Sequence, residues 1–292
     1  MILLGVTAAI TAVMFWLVSN SASKRIVRGL GTHTVTMLMI GLGTVPALVG
    51  TLVIGIYSVP ASSALLSMAA GLLLPVGFAL GYTTLRTEKL SNAAPLGEIQ
   101  PAAFVLFGLA VLGESVSVLQ MTSIIAIFSG AFLILTTEGM KFNRKLMPYI
   151  LSNICWVIYW LAMTYSVRWA HTYALPILIS RLTAVAPALI YFMSDKRSAI
   201  DLHWLRVKIK TNGTFAALIS LATIAAFADA SGDTVFGITL QTNVLALGGA
   251  MLALSPMFIA FAGFLLYHEK LTRLQLAGLA IMVIGAVALN AL

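Results

Sequence analysis

The chain has 292 residues, of which 60% are hydrophobic and only 9% are charged, and its formal net charge is +8. An ordinary soluble domain carries about 25% charged residues, so this composition excludes a globular cytosolic protein. The single cysteine excludes an intrachain disulfide and a thiolate zinc cluster.

Long apolar runs predict ten transmembrane helices, because each crossing of the hydrocarbon needs roughly 20 apolar residues. Lipid offers the backbone no hydrogen-bond partner, so runs of this length must be helical. The predicted spans 1 to 10 cover residues 2–20, 33–54, 63–85, 92–113, 116–136, 147–167, 171–193, 212–231, 242–267 and 272–291. The expected fold class is all-α, a polytopic membrane protein of the cell membrane.

The basic residues predict the orientation of these spans. All but two of the 17 lie in the odd-numbered loops; Arg168 lies in an even loop and Arg181 inside span 7. By the positive-inside rule the odd loops are cytoplasmic and both termini lie outside. This distribution accounts for the net charge without a nucleic acid partner, since no basic-aromatic patch suited to phosphates is present.

The chain repeats itself at a constant offset. Five residues of the first half recur 155 positions later: Pro101, Gly108, Glu114, Gln120 and Gly130 match Pro256, Gly263, Glu269, Gln275 and Gly285, with Ser117 against Thr272. Near the start of each half, Phe15-Trp16 corresponds to Tyr159-Trp160. The matches predict two five-span repeats, residues 1–137 and 147–292. Because five is odd, the second repeat must be inverted in the membrane.

Inverted repeats around a midplane site are a recurring architecture of secondary transporters. We therefore expect alternating-access transport of a small polar metabolite, with a coupled proton or a counter-substrate. The alternatives are an intramembrane enzyme or lipid-modifying protein, and a passive channel. An enzyme is disfavoured because the sequence has no P-loop, Rossmann glycine pattern, HExxH or credible nucleophile–base set. No cofactor or metal is expected.

Two segments carry a resemblance to a known family: PAAFVLFGLAVLGESVSVLQ in the first half and PMFIAFAGFLLYHEKLTRLQLAGLAIMVIGAVAL in the second. They resemble the EamA-type families of the drug/metabolite transporter superfamily. The shared pattern is a proline-broken helix, a Glu in the turn, a Ser or Thr three residues on, then a Gln and a glycine-containing last helix. The resemblance covers essentially the whole chain and implies secondary transport of amino acids, sugars, nucleotide-linked sugars or organic cations.

The predicted orientation departs from many members of that group, which keep their termini in the cytoplasm. The bacterial rhamnose and glucose/ribose porters share the basic first loop, SASKRIVRG here. The resemblance therefore implies either a sugar importer or an amino-acid exporter.

Glu98 is a candidate for proton coupling or for binding a cationic group of the substrate. It lies in span 4, three residues before Pro101, which cannot donate a hydrogen bond to the carbonyl of Gly97. A carboxylate at membrane depth is costly and is a functional hypothesis by default. The alternative is that Glu98 lies near the cytoplasmic end and reaches headgroup water. Pro256 predicts the equivalent helix break in span 9, leaving the carbonyl of Leu252 bare.

Arg181 lies ten residues into span 7 and must face the bundle, because an unpaired charge near the bilayer centre costs at least ~3 kcal/mol. It either pairs with Glu98 or holds an anionic group of the substrate. Asp229 and Asp233, expected at the end of span 8 and in the following loop, are predicted to be solvated at the outer surface, with an outer gate as the alternative. Glu114 and Glu269 are predicted to cap spans 5 and 10, since each precedes a Ser or Thr and a new helix, with catalysis as the alternative.

Four aromatic residues occupy corresponding positions of the two halves: Trp16, Trp156, Tyr159 and Trp160. They are candidates for the wall of a substrate cavity, which would suit aromatic amino acids, sugars or cations. The alternative is an interfacial belt, where Trp and Tyr gather in any membrane protein.

Overall fold

The computed structural model describes residues 2–87, 99–136, 144–194, 213–242, 244–258 and 271–290. Within these ranges every regular element is helical, which confirms the all-α prediction. The helices are α1 Ile2–Leu30, α2 Thr32–Ile54, α3 Ala61–Gly71, α4 Leu73–Thr87, α5 Ile99–Ala110, α6 Val118–Thr136, α7 Met147–Ala170, α8 Ala174–Ser194, α9 Gly213–Gln241, α10 Leu245–Leu252 and α11 Arg273–Asn290.

Seven helical stretches of the described residues are long and apolar enough to cross a membrane, including Ala61–Arg86, which combines α3 and α4. Three apolar stretches are shorter: Ile99–Ala110, Leu245–Phe258 and Arg273–Leu289. The prediction of a multi-pass membrane protein is confirmed. The count of ten spans stays a prediction, because these three stretches fall below the length of a full crossing.

Two predicted helix ends are wrong. Span 1 was expected to end at residue 20, but α1 continues to Leu30 through the basic segment. Span 8 was expected to end at residue 231, but α9 continues to Gln241. The polar run around Asp233 resembles a loop in sequence, yet its backbone stays helical because the carboxylate finds its partners inside the protein.

The helices pack as corresponding pairs. α1 packs along α9, and its counterpart α7 packs along α3 and α4. Three further contacts join equivalent helices directly: α2 with α8, α5 with α10 and α6 with α11. Such an arrangement fits two copies of one five-helix unit.

The contact between α6 and α11 repeats itself in detail. A Cβ atom on Gly130 would lie 2.6 Å from the carbonyl oxygen of Gly278, and one on Gly285 would lie 3.0 Å from that of Ser123. Ser123 and Gly278 are themselves 155 residues apart, so each contact is the counterpart of the other. Small residues at these positions let the two helix backbones approach closely.

The turns before α6 and α11 are also equivalent. The backbone N–H of Ser117 donates to Gln120 Oε1 at 2.8 Å, and the N–H of Gln120 donates to Ser117 Oγ at 3.2 Å. Thr272 and Gln275 form the same reciprocal pair at 2.9 and 3.2 Å. Each pair is a capping box that satisfies two exposed N–H groups. The prediction that Glu114 caps α6 is therefore wrong, since Ser117 and Gln120 already do so. Glu269, predicted to cap the equivalent helix, lies outside the described residues.

Four short connections lie together at one end of the bundle, which we call the short-loop end; their described residues are 55–60, 111–117, 171–173, 242 and 244. There Gln241 Nε2 donates to the carbonyl of His171 at 2.9 Å. One helical turn further in, Ser63 of α3 donates to the backbone carbonyl of Ser166 in α7 at 2.9 Å. The hydrogen bond from Ser63 to Ser166 connects the two halves of the chain.

Adding a methyl group at Gly130 tests the α6–α11 contact. We expect Gly130→Ala to lower the stability of the detergent-purified protein by ~1–3 kcal/mol, because the backbone of α11 must move to admit the new atom. The measurement is the thermal unfolding midpoint. Gly41→Ala is the matched control, since a Cβ there meets only the end of Met37 at 3.7 Å. Equal midpoints for the two variants would contradict this account of the interface.

Candidate functional site

A cluster of three charged side chains lies buried between α8 and α9. Asp229 and Asp233 are four residues apart in α9, so they project from one face of the helix. Arg181 of α8 is fully buried, and the two aspartates are 9% and 2% exposed. Arg181 Nη2 donates to Asp229 Oδ2 at 2.7 Å and also to Asp233 Oδ2. We call these three residues the charged cluster.

The charged cluster corrects one prediction and resolves another. Asp229 and Asp233 do not lie in solvent at the outer surface. Both are buried in the bundle, because Arg181 of α8 is their partner. Arg181 faces the bundle as predicted, and two acids from α9 are its partners. Glu98, its predicted partner, lies outside the described residues. The spacing of the two acids within an apolar helix was the sequence signal that could have identified them.

Helix α2 provides the space that Arg181 occupies. A Cβ on Gly43 would overlap Nη1 of Arg181, so a larger residue at this position would displace the guanidinium. The same nitrogen donates to the backbone carbonyl of Met39 at 3.5 Å. Arg181 Nε has no hydrogen-bond partner among the described residues. The guanidinium is thus enclosed by three helices and retains an unused donor.

Three aromatic rings border the cluster. The ring centroids of Trp16 and Trp160 are 5.9 Å apart, and Phe236 lies 5.5 Å from Trp16 and 4.9 Å from Trp160. Trp16 Nε1 donates to Asp233 Oδ1 at 3.1 Å, which ties this aromatic triangle to the charges. Because Trp16 and Trp160 are equivalent in the two halves, their contact brings corresponding positions together at the centre of the bundle.

The other predicted aromatic residues lie around this triangle. Tyr159 is fully buried, packs edge-on against Trp160 at 4.9 Å and shares a hydrogen bond of 3.1 Å with Ser180. Trp156 lies one layer further out, between Tyr159 at 5.9 Å and Phe78 of α4 at 4.9 Å. The structure therefore brings Trp16, Tyr159 and Trp160 together with Arg181, while Trp156 lies further out and packs against Tyr159.

Helix breaks were predicted at Pro101 and Pro256, and the structure describes the residues before the proline only at Pro256. α10 ends at Leu252, residues 253–254 form a turn, and Pro256 lies in the helical turn that follows. Pro256 has no N–H to donate to the carbonyl of Leu252. That carbonyl accepts a hydrogen bond from Ser255 Oγ at 2.6 Å instead. Pro101 lies in the first described turn of α5, and the preceding residues are outside the described ranges.

A second ion pair lies at the short-loop end. Glu114 Oε1 accepts from Arg168 Nη2 at 2.5 Å and from the backbone N–H of Leu245 at 3.0 Å. Glu114 Oε2 accepts from the N–H of Ala246 at 2.8 Å. The carboxylate thus satisfies the exposed N-terminus of α10, where negative charge is favoured, and also binds α7. Gly113, with a left-handed φ of 66°, makes the turn that places Glu114 there. We call this set of contacts the Glu114 latch.

The comparisons with known proteins agree with the helical architecture. The model of the EamA-like transporter family matches residues 3–136 and 146–291. A solved structure titled "Crystal structure of protein" superposes with a TM-score of 0.70 over 98% of both chains, at 17% sequence identity. At that identity the likeness shows the fold alone. No curated protein matches the chain at a significant level.

Removing Arg181 tests whether the charged cluster is held together by its charges. We expect Arg181→Met to lower the stability by ~3–5 kcal/mol, because two buried carboxylates lose their cation. The triple variant Arg181→Met, Asp229→Asn and Asp233→Asn should recover most of that loss, since no charge remains. Thermal unfolding midpoints of the purified proteins provide the comparison, and Arg86→Met, at an exposed arginine, is the control. A triple variant no more stable than the single one would rule out electrostatics as the cause.

Proposed function

We propose that this chain, which belongs to the EamA-like transporter family of the drug/metabolite transporter superfamily, is a secondary active transporter for a small polar metabolite. The observation that carries the proposal is the charged cluster with its aromatic triangle. Charged side chains inside membrane-spanning helices are expensive and mark substrate or ion pathways. Here they lie where helices of both halves meet.

The proposed mechanism is alternating access between two inverted repeats, residues 1–137 and 147–292. Three observations support it: the contact between Trp16 and Trp160, the symmetric α6–α11 contact and the paired capping boxes. In such an arrangement each half can adopt the conformation of the other, which opens the central site to the opposite side. The bilayer and the substrate are the partners that this mechanism requires.

The positive-inside rule supports an orientation with both termini outside, which makes the short-loop end extracellular. The Glu114 latch then holds the extracellular side together, because it connects the turn after α5 with the ends of α7 and α10. We infer that transport requires these contacts to break and re-form in each cycle.

A passive channel fits the charged cluster less well. A pore exposes its polar groups to a continuous column of water, whereas Arg181 and Asp233 are enclosed by packed side chains. A buried ion pair that must rearrange when substrate enters is suited to a carrier with separate inward-open and outward-open states.

Transport by the reconstituted protein tests the proposal. A thermal-shift screen first identifies the substrate among amino acids, sugars, polyamines, choline-like cations and phosphorylated metabolites. A ligand at 100 times its Kd stabilises the fold by ~2.7 kcal/mol and so raises the unfolding midpoint. We expect saturable uptake that is accelerated by substrate inside the vesicle. Arg181→Met and Asp233→Asn should each lower the initial rate at least ~10-fold, because each removes a charge from the site, whereas Arg86→Met should retain it.

Glu98→Gln belongs in the same series, because Glu98 remains a proposed proton-coupling residue. It should abolish the pH dependence of uptake if that residue carries the proton. Unsaturable flux would indicate a pore, and undiminished uptake by the Arg181 and Asp233 variants would remove the cluster from the transport site.

Breaking the latch should open the short-loop end. In a Cys155→Ala background, we expect Glu114→Gln to raise the rate at which a membrane-impermeant maleimide labels Thr164→Cys by ~10-fold, because charged hydrogen bonds contribute about 1.5–3 kcal/mol. Thr164 is buried in α7, one turn inside Arg168. Arg168→Gln should have the same effect, and the two changes should not add. Ser62→Cys, exposed at the same end, is the control; a parallel rise there would indicate general loosening.

A further inference from the structure

A groove of about 500 Å³ opens on the side of the helix bundle, between α1, α11 and the segment that follows α10. We call it the lateral groove. The residues described in its lining are all apolar: Ile10, Leu254, Met257, Phe258, Val283, Ala286 and Val287. Sites for small polar molecules have similar volumes but carry a few convergent polar groups. Without such groups in its described lining, the lateral groove does not suit a polar metabolite.

The lateral groove exists because α1 and α11 pack on different partners. α1 packs along α9 and α10, whereas α11 packs along α6 through the face that carries Gly285. Val283 and Val287 are one turn apart on another face of α11, so both line the groove. Leu254 is 2% exposed and forms the floor, and Val287 is 63% exposed at the rim. The groove thus runs from the outer surface of the bundle to the helix break after α10.

The depth of the lateral groove follows from the rise of 1.5 Å per helical residue. Ile10 lies eight residues after the first residue of α1, which is about 12 Å along the axis. Val283 lies ten residues after the first residue of α11, which is about 15 Å. In the proposed topology these two helices start on opposite sides of the bilayer. Both distances therefore place the groove near the middle of the ~30 Å hydrocarbon layer.

The position and lining of the lateral groove together indicate what fills it. Water is not held in an apolar cavity, because each molecule needs two or more polar partners. An empty groove would deprive the side chains along its floor of contact atoms on one side. The rim is continuous with the lipid-facing surface, where Val287 and Ile284 are 63% and 68% exposed. An acyl chain can therefore enter sideways without leaving the bilayer.

We propose that the lateral groove binds one acyl chain of a membrane phospholipid, which packs against the helix break after α10. The break has irregular backbone: the N–H of Leu254 donates to the carbonyl of Met251 at 3.1 Å, and the N–H of Met257 donates to the carbonyl of Leu254 at 3.0 Å. Irregular backbone at membrane depth must be covered by apolar groups. The acyl chain completes that cover. Because no charged side chain is found in the described lining, the site recognises the chain and not the headgroup.

Filling the lateral groove with a side chain tests the proposal. Ala286→Trp places a large apolar group where the acyl chain would lie, and Val287→Trp fills the groove from its exposed rim. Ile284→Trp is the matched control, since it adds the same group to an exposed position of α11 that does not line the groove. The protein is purified and delipidated in a steroid-based detergent, which carries no acyl chain, and its thermal unfolding midpoint is measured with and without phosphatidylcholine.

We expect saturating phosphatidylcholine to raise the midpoint of the unmodified protein and of Ile284→Trp by about 5 °C. The two filling variants should show no rise, because their tryptophan already occupies the groove. Glycerophosphocholine, which has the headgroup without the chains, should have no effect on any of the proteins. A lipid response that survives in both filling variants, or that Ile284→Trp also loses, places the lipid elsewhere and overturns the proposal.

Native mass spectrometry counts the bound lipid. After extraction from vesicles of phosphatidylcholine or of phosphatidylglycerol with the same chains, the unmodified protein and Ile284→Trp should retain one phospholipid each, and the filling variants none. Retention of only one of the two lipids would show headgroup recognition and contradict the proposal. A dimer that both filling variants dissociate would identify a second copy of the chain as the occupant, which also overturns it. None of these measurements requires transport, so their failure leaves the proposed carrier function standing.

Discussion

The interaction between Arg181 and the two aspartates is the constraint around which the centre of the molecule is built. A guanidinium inside apolar helices must be matched by carboxylates, so α8 and α9 are held in a fixed register. Gly43 of α2 leaves room for the guanidinium, because a larger residue at that position would displace it. The register of α8 and α9 also positions Asp233 for the hydrogen bond from Trp16, which connects the first helix of the chain to the ninth. Removing the charge would therefore loosen contacts among four helices.

Much of the architecture could be predicted from the sequence because the bilayer imposes simple rules. Apolar runs had to be helical, and the identical residues at an offset of 155 predicted equivalent turns and contacts. The ends of α1 and α9 could not be predicted, since a run of polar residues is typical of a loop. Only the side chains that these residues contact in the folded protein show otherwise. The partner of Asp229 is Arg181, which lies 48 residues away in α8, and no local pattern specifies such a pairing. For the same reason Glu114 was assigned to the nearest helix, although its partners are Arg168 and the start of α10.

The charged cluster and the Glu114 latch are both arginine–carboxylate interactions between helices, and they differ in how deeply they are buried. Each has a carboxylate that accepts hydrogen bonds from an arginine and from a second helix. At the Glu114 latch the side chains of Arg168 and Glu114 are 20% and 10% exposed. Water can therefore form hydrogen bonds with them when their mutual bond breaks. At the centre the charged groups are buried away from water, so in the proposed transport cycle a substrate must replace the hydrogen bonds that break there. Exposure thus separates contacts that can open freely from those that open only with a ligand.

Among the described residues, the charges of the central site all come from the second half of the chain, and this has an evolutionary consequence. A pair of identical five-helix subunits inserted in opposite directions would be forced by symmetry to place every charged residue twice. Two arginines and four aspartates would then crowd around the axis where Trp16 and Trp160 meet. Joining the two units in one gene removes that obligation, since each copy mutates independently. In the proposed mechanism, the fused protein retains a symmetric framework for switching direction, while Arg181, Asp229 and Asp233 all lie on one side of the axis.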